Sequence, residues 1–245
     1  MRLGLIVPAT PGEFELEHLE TFSGSWLQVR ITWHPTTDRH AVDDLRADGS
    51  KVVLVSAAEE LVVFEPQAVA YACTSASFVN GLVAAQQQVE AIGGVLGVPA
   101  TSTSLAFVRA LQAMGNPTVA VAASYPSIVA ERFVGFLEEA GIRTVNLSVG
   151  DAATGADANQ LDGKAVRVLI AQADCAEADA ILVPDTAINT LAYLADLEVV
   201  FGKPVLTANQ VTLWDALRLA EALRPLPRLG HLLAEPLCLS PSMRI

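Results

Sequence analysis

Residues 68–77 read AVAYACTSAS. The first five, Ala68–Ala72, form an unbroken run of apolar and small side chains, and Cys73, Thr74, Ser75 and Ser77 follow at once. A run that does not alternate is the pattern of a strand buried on both faces, as in a parallel sheet. A helical pattern, Phe78–Ala91, comes next. The unit is therefore strand, polar turn, helix, and it recurs along the chain. Strands are predicted at Leu3–Val7, Leu27–Thr32, Val52–Val55, Ala68–Ala72, Val119–Ala122, Thr144–Leu147, Ala180–Val183 and Pro204–Leu206, with another ending at Thr101-Ser102-Thr103. Helices are predicted at Phe78–Ala91, Ser104–Met114, Ile128–Ala140, Lys164–Ala173, Ala187–Ala195 and Thr212–Leu223. This alternation implies βαβ units and an α/β, doubly wound, Rossmann-like fold.

The chain also resembles itself. GLIVPAT, AYACTSAS and GVPATSTSLAFVRAL in the first half are matched in order by VAVAASYPS, AILVPDTAINT and GKPVLTANQVTLWDAL in the second. The gaps are similar: 65 positions from Pro8 to Cys73 against 61 from Ser124 to Asp185, then 28 to Thr101 against 22 to Thr207. Two pseudo-symmetric parallel-sheet domains are expected. One comprises residues 1–115 plus 208–245 and carries Cys73; the other comprises 116–207 and carries Asp185, with the first crossover near Asn116-Pro117. Ligands of open α/β sheets bind outside the carboxyl ends of the strands. Cys73 and Asp185 would then face each other across one cleft. Residues 150–163, GDAATGADANQLDG, read as a polar loop.

Composition narrows the function. The 245 residues are 52% hydrophobic and 17% charged, enough apolar mass for a full core. A formal charge of −12 argues against nucleic-acid binding. No apolar run reaches the roughly 18–20 residues of a membrane span, and the N-terminus reads as a first strand, not a signal peptide. A soluble cytoplasmic protein is expected. Exposed apolar helix faces favour a homodimer. Cys73, Cys175 and Cys238 are too few and scattered for a disulfide scaffold or zinc site, and Cys175 and Cys238 are expected only to pack. His18, His34, His40 and His231 lack metal spacing and read mostly as surface residues. Glu13, Glu15, Glu17 and Glu20 read as a solvated helix start. Neither GxGxxG nor a Walker A loop is present, so no nucleotide cofactor is implied, and there is no GxSxG elbow.

The residues that could carry chemistry stand at strand ends. Cys73 would sit among free backbone N–H groups at a helix start, a setting that favours thiolate. It could equally be a packed cysteine among capping hydroxyls. Asp185, in Pro184-Asp185-Thr186, is either a helix N-cap or a catalytic group, and its slot matches that of Cys73. Tyr125 could point its hydroxyl into the cleft or pack on the next helix. The Thr101 and Asn209 clusters lie at the same edge, as cleft groups or as simple caps.

Taken together, GLIVPAT, YACTSASFVNG at Tyr71–Gly81, the strand-end Tyr125 and GKPVLTANQVTLWDAL at Gly202–Leu217 resemble the aspartate/glutamate racemase superfamily. The resemblance is to the branch of maleate cis–trans isomerase and arylmalonate decarboxylase. It spans nearly the whole chain and implies a cofactor-independent enzyme with its site between two domains. Family members hold two cysteines across the cleft. Cys73 corresponds to the first, whereas Asp185 stands where the second is expected. The decarboxylase pattern keeps the second cysteine and loses the first, the reverse of this chain. Pro8, Thr74, Ser75, Tyr125, Thr186 and Asn209 would bind a small carboxylate substrate. Four functions follow: isomerisation of a maleate-like diacid, decarboxylation of a substituted malonate, racemisation of an amino acid or hydantoin, and carboxylate binding without turnover. Isomerisation is placed first on the Tyr-Ala-Cys-Thr-Ser segment.

Overall fold

The structure is a computed structural model and describes residues 1–234 apart from residues 13 and 24. It contains two four-stranded sheets, parallel throughout. The first joins β1 (Arg2–Pro8), β2 (Gln28–His34), β3 (Ala68–Tyr71) and β4 (Ala100–Ser102) in the order β2-β1-β3-β4. The second joins β5 (Val119–Ala123), β6 (Thr144–Val149), β7 (Ala180–Val183) and β8 (Val205–Thr207) in the order β6-β5-β7-β8. The two orders are the same, so the internal repeat is a repeat of topology. Strands β3, β5 and β7 are buried at every position, as their unbroken apolar runs require.

Helices α1 (Leu19–Ser23), α2 (Val42–Asp48), α3 (Lys51–Glu59), α4 (Thr74–Phe78), α5 (Leu82–Leu96) and α6 (Thr103–Ala113) accompany the first sheet. Helices α7 (Ser127–Glu139), α8 (Gly155–Asn159), α9 (Gly163–Ala173) and α10 (Leu194–Phe201) belong to the second half, and α11 (Ala208–Leu219) and α12 (His231–Ala234) follow β8. Helix α11 returns to the first half. Thr212 Oγ1 lies 2.7 Å from Thr103 Oγ1, and Asp215 on α11 pairs with Arg109 on α6 at 2.7 Å. Each half repeats one device. Helices α5 and α10 both stop at a left-handed glycine, Gly97 (φ +66°) and Gly202 (φ +64°), and a Gly-x-Pro step turns each chain into its last strand. The halves share a core: Phe78 and Phe107 of the first pack on Phe133 of the second, with ring centroids 5.1 and 5.5 Å apart.

Two predicted elements differ. Val52–Val55 lies within α3, where Leu54, Ala57, Ala58 and Leu61 are buried at helical spacing and Val52 is 81% exposed. A short β-branched run was ambiguous between the two periods. Ala187–Ala195 is irregular up to Leu194, because side chains from elsewhere satisfy its backbone. Asn209 Nδ2 donates to the Thr186 and Ile188 carbonyls, and Asn159 Nδ2 donates to Ala187 O. Residues 150–163 are not all loop, since α8 lies within them.

Candidate functional site

Cys73 stands two residues beyond β3 and Asp185 two residues beyond β7, so the repeated topology carries both to one cavity at the carboxyl ends of the strands. Pro8, Ser75 and Thr186 line it as well. A further part of the wall comes from the segment between β2 and α2, which supplies Thr36, Asp38, Arg39 and His40, and from Asp48 on α2.

The Cys73 thiol is buried. Its Sγ lies 3.9 Å from Ser75 Oγ and is also approached by the Ala76 N–H and the Tyr71 hydroxyl. These contacts favour thiolate, but burial outweighs them and pushes the thiol up to about 11, with Asp48 adding to the rise. The expectation of a lowered thiol is therefore corrected. The helix after Cys73 has only five residues, and its pull is smaller than the cost of stripping water from the anion. At neutral pH Cys73 carries its proton.

Asp185 is 4% exposed. Its Oδ2 accepts a very short hydrogen bond from Ser124 Oγ, and its Oδ1 accepts from the Ala187 N–H at 3.0 Å. Burial raises its proton affinity; His40, Ser124 and the Ala187 N–H pull it back, while Asp38 adds to the rise. Tyr125 is buried. It donates a very short hydrogen bond to Pro184 O, and Thr74 and Ser75 lie beside its hydroxyl. It thus ties the turn before Asp185 to the turn after Cys73.

Asn209 is placed elsewhere. It is buried and ties the loop after β7 to Glu15, with Nδ2 2.7 Å from Glu15 Oε1. Glu15 corrects the solvated-helix expectation, because its Oε2 accepts from the Leu191 N–H at 2.7 Å and burial pushes its carboxyl up to about 7. Glu17 and Glu20 are exposed, and Glu13 lies outside the described residues.

His18 and His231 are exposed as expected, but His34 and His40 are not simple surface residues. His34 is 1% exposed, its Nδ1 lies 3.0 Å from Pro35 O, and burial lowers its proton affinity. His40 lines the cavity. Cys175 is partly buried and packs beside the second core, and Cys238 lies outside the described residues. The cavity residues between β2 and α2 went unread because the repeat offers no signal there. The available clue was a charged triplet, Asp38-Arg39-His40, shortly after a strand end.

Among the described residues, no group of three or more His, Cys, Asp or Glu side chains could hold a metal ion, and no helix is long and apolar enough to cross a membrane.

Two parallel-sheet halves with polar strand ends meeting at one cavity define a class of two-domain α/β proteins. The chain belongs within it to the arylmalonate decarboxylase family, whose model matches residues 3–233. An arylmalonate decarboxylase of Bordetella bronchiseptica is 32% identical over 152 residues, 60% of this chain and 62% of that enzyme. A maleate isomerase of Nocardia farcinica is 25% identical over 247 residues, 96% of each chain. A solved structure of the Nocardia farcinica maleate cis–trans isomerase, a Cys-to-Ser variant with a covalently bound succinylcysteine intermediate, matches with a TM-score of 0.88 at 23% identity, covering 96% of this chain and 98% of that one. The relatives are enzymes of two kinds, an isomerase and a lyase.

Proposed function

We propose that this protein is a cofactor-independent isomerase of a small unsaturated carboxylic acid, acting on a maleate-like compound through Cys73 and Asp185. The observation that carries this reading is the placement of a thiol and a carboxyl group at equivalent strand ends, on two walls of one cavity. Two proton-carrying groups on opposed walls suit a carbon that must gain and then lose a proton.

Asp185 enters as carboxylate and takes the Cys73 proton, leaving thiolate and carboxylic acid. The sulfur adds to one olefinic carbon, and the π electrons move onto the neighbouring carbon and its carboxylate. Asp185 delivers its proton to that carbon. The molecule, now joined to Cys73 by a thioether, turns about its new single bond. Asp185 removes the proton again, the C–S bond breaks, and the trans acid leaves. The thiol regains its proton from Asp185, so nothing is consumed. The covalent succinylcysteine recorded for the Nocardia relative is the intermediate this sequence requires. Hydroxyls of Thr74 and Ser75 are the donors proposed for the substrate carboxylate; Tyr125, expected among them, donates its hydrogen bond to Pro184 O and holds the turn before Asp185 instead.

Decarboxylation is the second reading, and the protonated state of Cys73 favours it. A thiol held near 11 is a ready proton donor to an enediolate, and loss of carbon dioxide needs only one such donor.

A proton NMR time course in D2O tests both, with maleate and a phenylmalonate in parallel and Cys73→Ala as control. Maleate converting to fumarate supports isomerisation. A deuterated monoacid from the phenylmalonate, with maleate untouched, replaces it with decarboxylation.

A further inference from the structure

The repeat pairs strand ends as well as strands. Ile6 on β1 pairs with Tyr71 on β3, and the same offset of 65 positions joins Pro8 to Cys73. Val121 on β5 pairs with Leu182 on β7, and the same offset of 61 joins Ser124 to Asp185. Each of the two groups thus has one neighbour from the adjacent strand end. Beside Cys73 that neighbour is a proline, which has no N–H or hydroxyl to donate. Beside Asp185 it is a serine, and its Oγ donates to Asp185 Oδ2.

Ser124 is fully buried, and its carbonyl accepts from the Ala152 N–H at 2.7 Å. Its neighbour Tyr125 donates to Pro184 O. Two successive residues after β5 therefore bond two successive residues after β7, one through the carbonyl and one through the carboxylate. Asp185 Oδ1 takes the Ala187 N–H at 3.0 Å. Among the described residues no ion pair reaches Asp185. A buried carboxylate without a paired cation depends on its hydrogen-bond donors. The Ala187 N–H is backbone and would stand there with any side chain; the Ser124 hydroxyl is the donor that the sequence supplies.

We propose that Ser124 is a positioning residue for Asp185: its hydroxyl, offered from the neighbouring strand end, orients the carboxylate towards the cavity and stabilises its charged form. The inference rests on the reading of Asp185 as the second proton carrier, and adds the group that holds it. A hydroxyl suits a carboxyl that changes state, because it donates to the anion and can accept from the acid. The bond to the anion is the stronger of the two, so the net effect favours carboxylate. The other titratable groups facing the cavity are Cys73 and Asp48, with Asp38, Arg39 and His40 from the segment between β2 and α2. Asp38 joins that segment to the second half by accepting from the Gly155 and Ala156 N–H groups, each at 3.0 Å. Tyr125 is the remaining titratable neighbour of Asp185. Replacing Ser124 by alanine alters none of these groups and removes no charge.

The test is a carboxyl-carbon NMR titration of Asp185 in the full chain, its signal assigned by its loss in Asp185→Asn. No substrate is required, so the outcome stands even if the protein isomerises nothing. In Ser124→Ala the Asp185 midpoint is expected to rise by about one pH unit, a roughly tenfold gain in proton affinity from one lost donor. Ser124→Thr, which keeps the hydroxyl, should titrate close to the native protein. Where turnover is found, kcat in Ser124→Ala should fall about tenfold with KM nearly unchanged, and its acidic limb should move to higher pH in step with the titration. An Asp185 midpoint unmoved in Ser124→Ala would overturn the proposal. So would a threonine variant that titrates like the alanine, since packing and not the donor would then be the cause.

Discussion

The two halves share a strand order and a Gly-x-Pro cap, yet they finish their third strands differently. After β3 the chain turns directly into α4, and Cys73 sits in a pocket of buried side chains with weak partners for its sulfur. After β7 no helix forms until Leu194, and Asp185 is gripped by Ser124 and the Ala187 N–H. One wall presents a group that burial keeps protonated. The other presents a carboxyl whose proton affinity is contested between burial and several donors. A duplicated scaffold therefore does not imply duplicated chemistry: identical topology fixes where the two groups stand, and local contacts decide what each can do with a proton.

The largest expected effect comes from emptying one wall. Cys73→Ala should abolish turnover, by about 10³-fold or more, while leaving substrate binding measurable by calorimetry. Asp185→Asn should lower kcat by roughly 10²–10⁴-fold, the range of a lost acid–base group. Asp185→Cys makes the walls alike. Under isomerisation it should retain far more activity than Asp185→Asn in the same NMR assay, and equal losses would separate Asp185 from proton transfer.

The loops behind the walls can be compared through stability. Glu15 rises from an ordinary 4.5 to about 7 on folding. Below 4.5 it is protonated whether the chain is folded or not. Between 4.5 and about 7 only the folded chain holds the proton, so stability falls as pH rises, and above about 7 the loss is complete. That interval of 2.5 pH units, at about 1.4 kcal/mol each, sets an order of magnitude of about 3 kcal/mol. Urea unfolding between pH 5 and 8 should show this slope in the native protein and lose most of it in Glu15→Gln. A smaller effect is expected at Gly155, where an added Cβ would lie 2.6 Å from Asp38 Oδ1. Gly155→Ala should loosen the join between the halves and lower the unfolding midpoint modestly, by about 1–3 kcal/mol in stability.

Much of this fold was legible because its central strands are buried on both faces and so read as apolar runs, as Ala180–Val183 does. Legibility failed where tertiary contacts replace local ones. The loop after β7 has helical composition, but Asn209, Asn159 and Glu15 bind its backbone groups, and no single-segment pattern contains those partners. The site was half visible for a related reason. Cys73 and Asp185 were marked by the repeat, whereas Asp38 and His40 lie in a segment whose position depends on pairing with residues 152–156, more than a hundred positions away.

The halves also trade parts. Phe14, early in the chain, is buried in the second core, and Glu15 beside it binds the loop after β7, while α11, late in the chain, completes the first half through Trp214 and Asp215. Cutting the chain after residue 115 would leave the first fragment without α11 and the second without its N-terminal plug. Neither piece should fold soundly alone, but mixed together each carries what the other lacks. The molecule is thus a natural candidate for split-protein complementation, with reconstitution of the cavity as its signal.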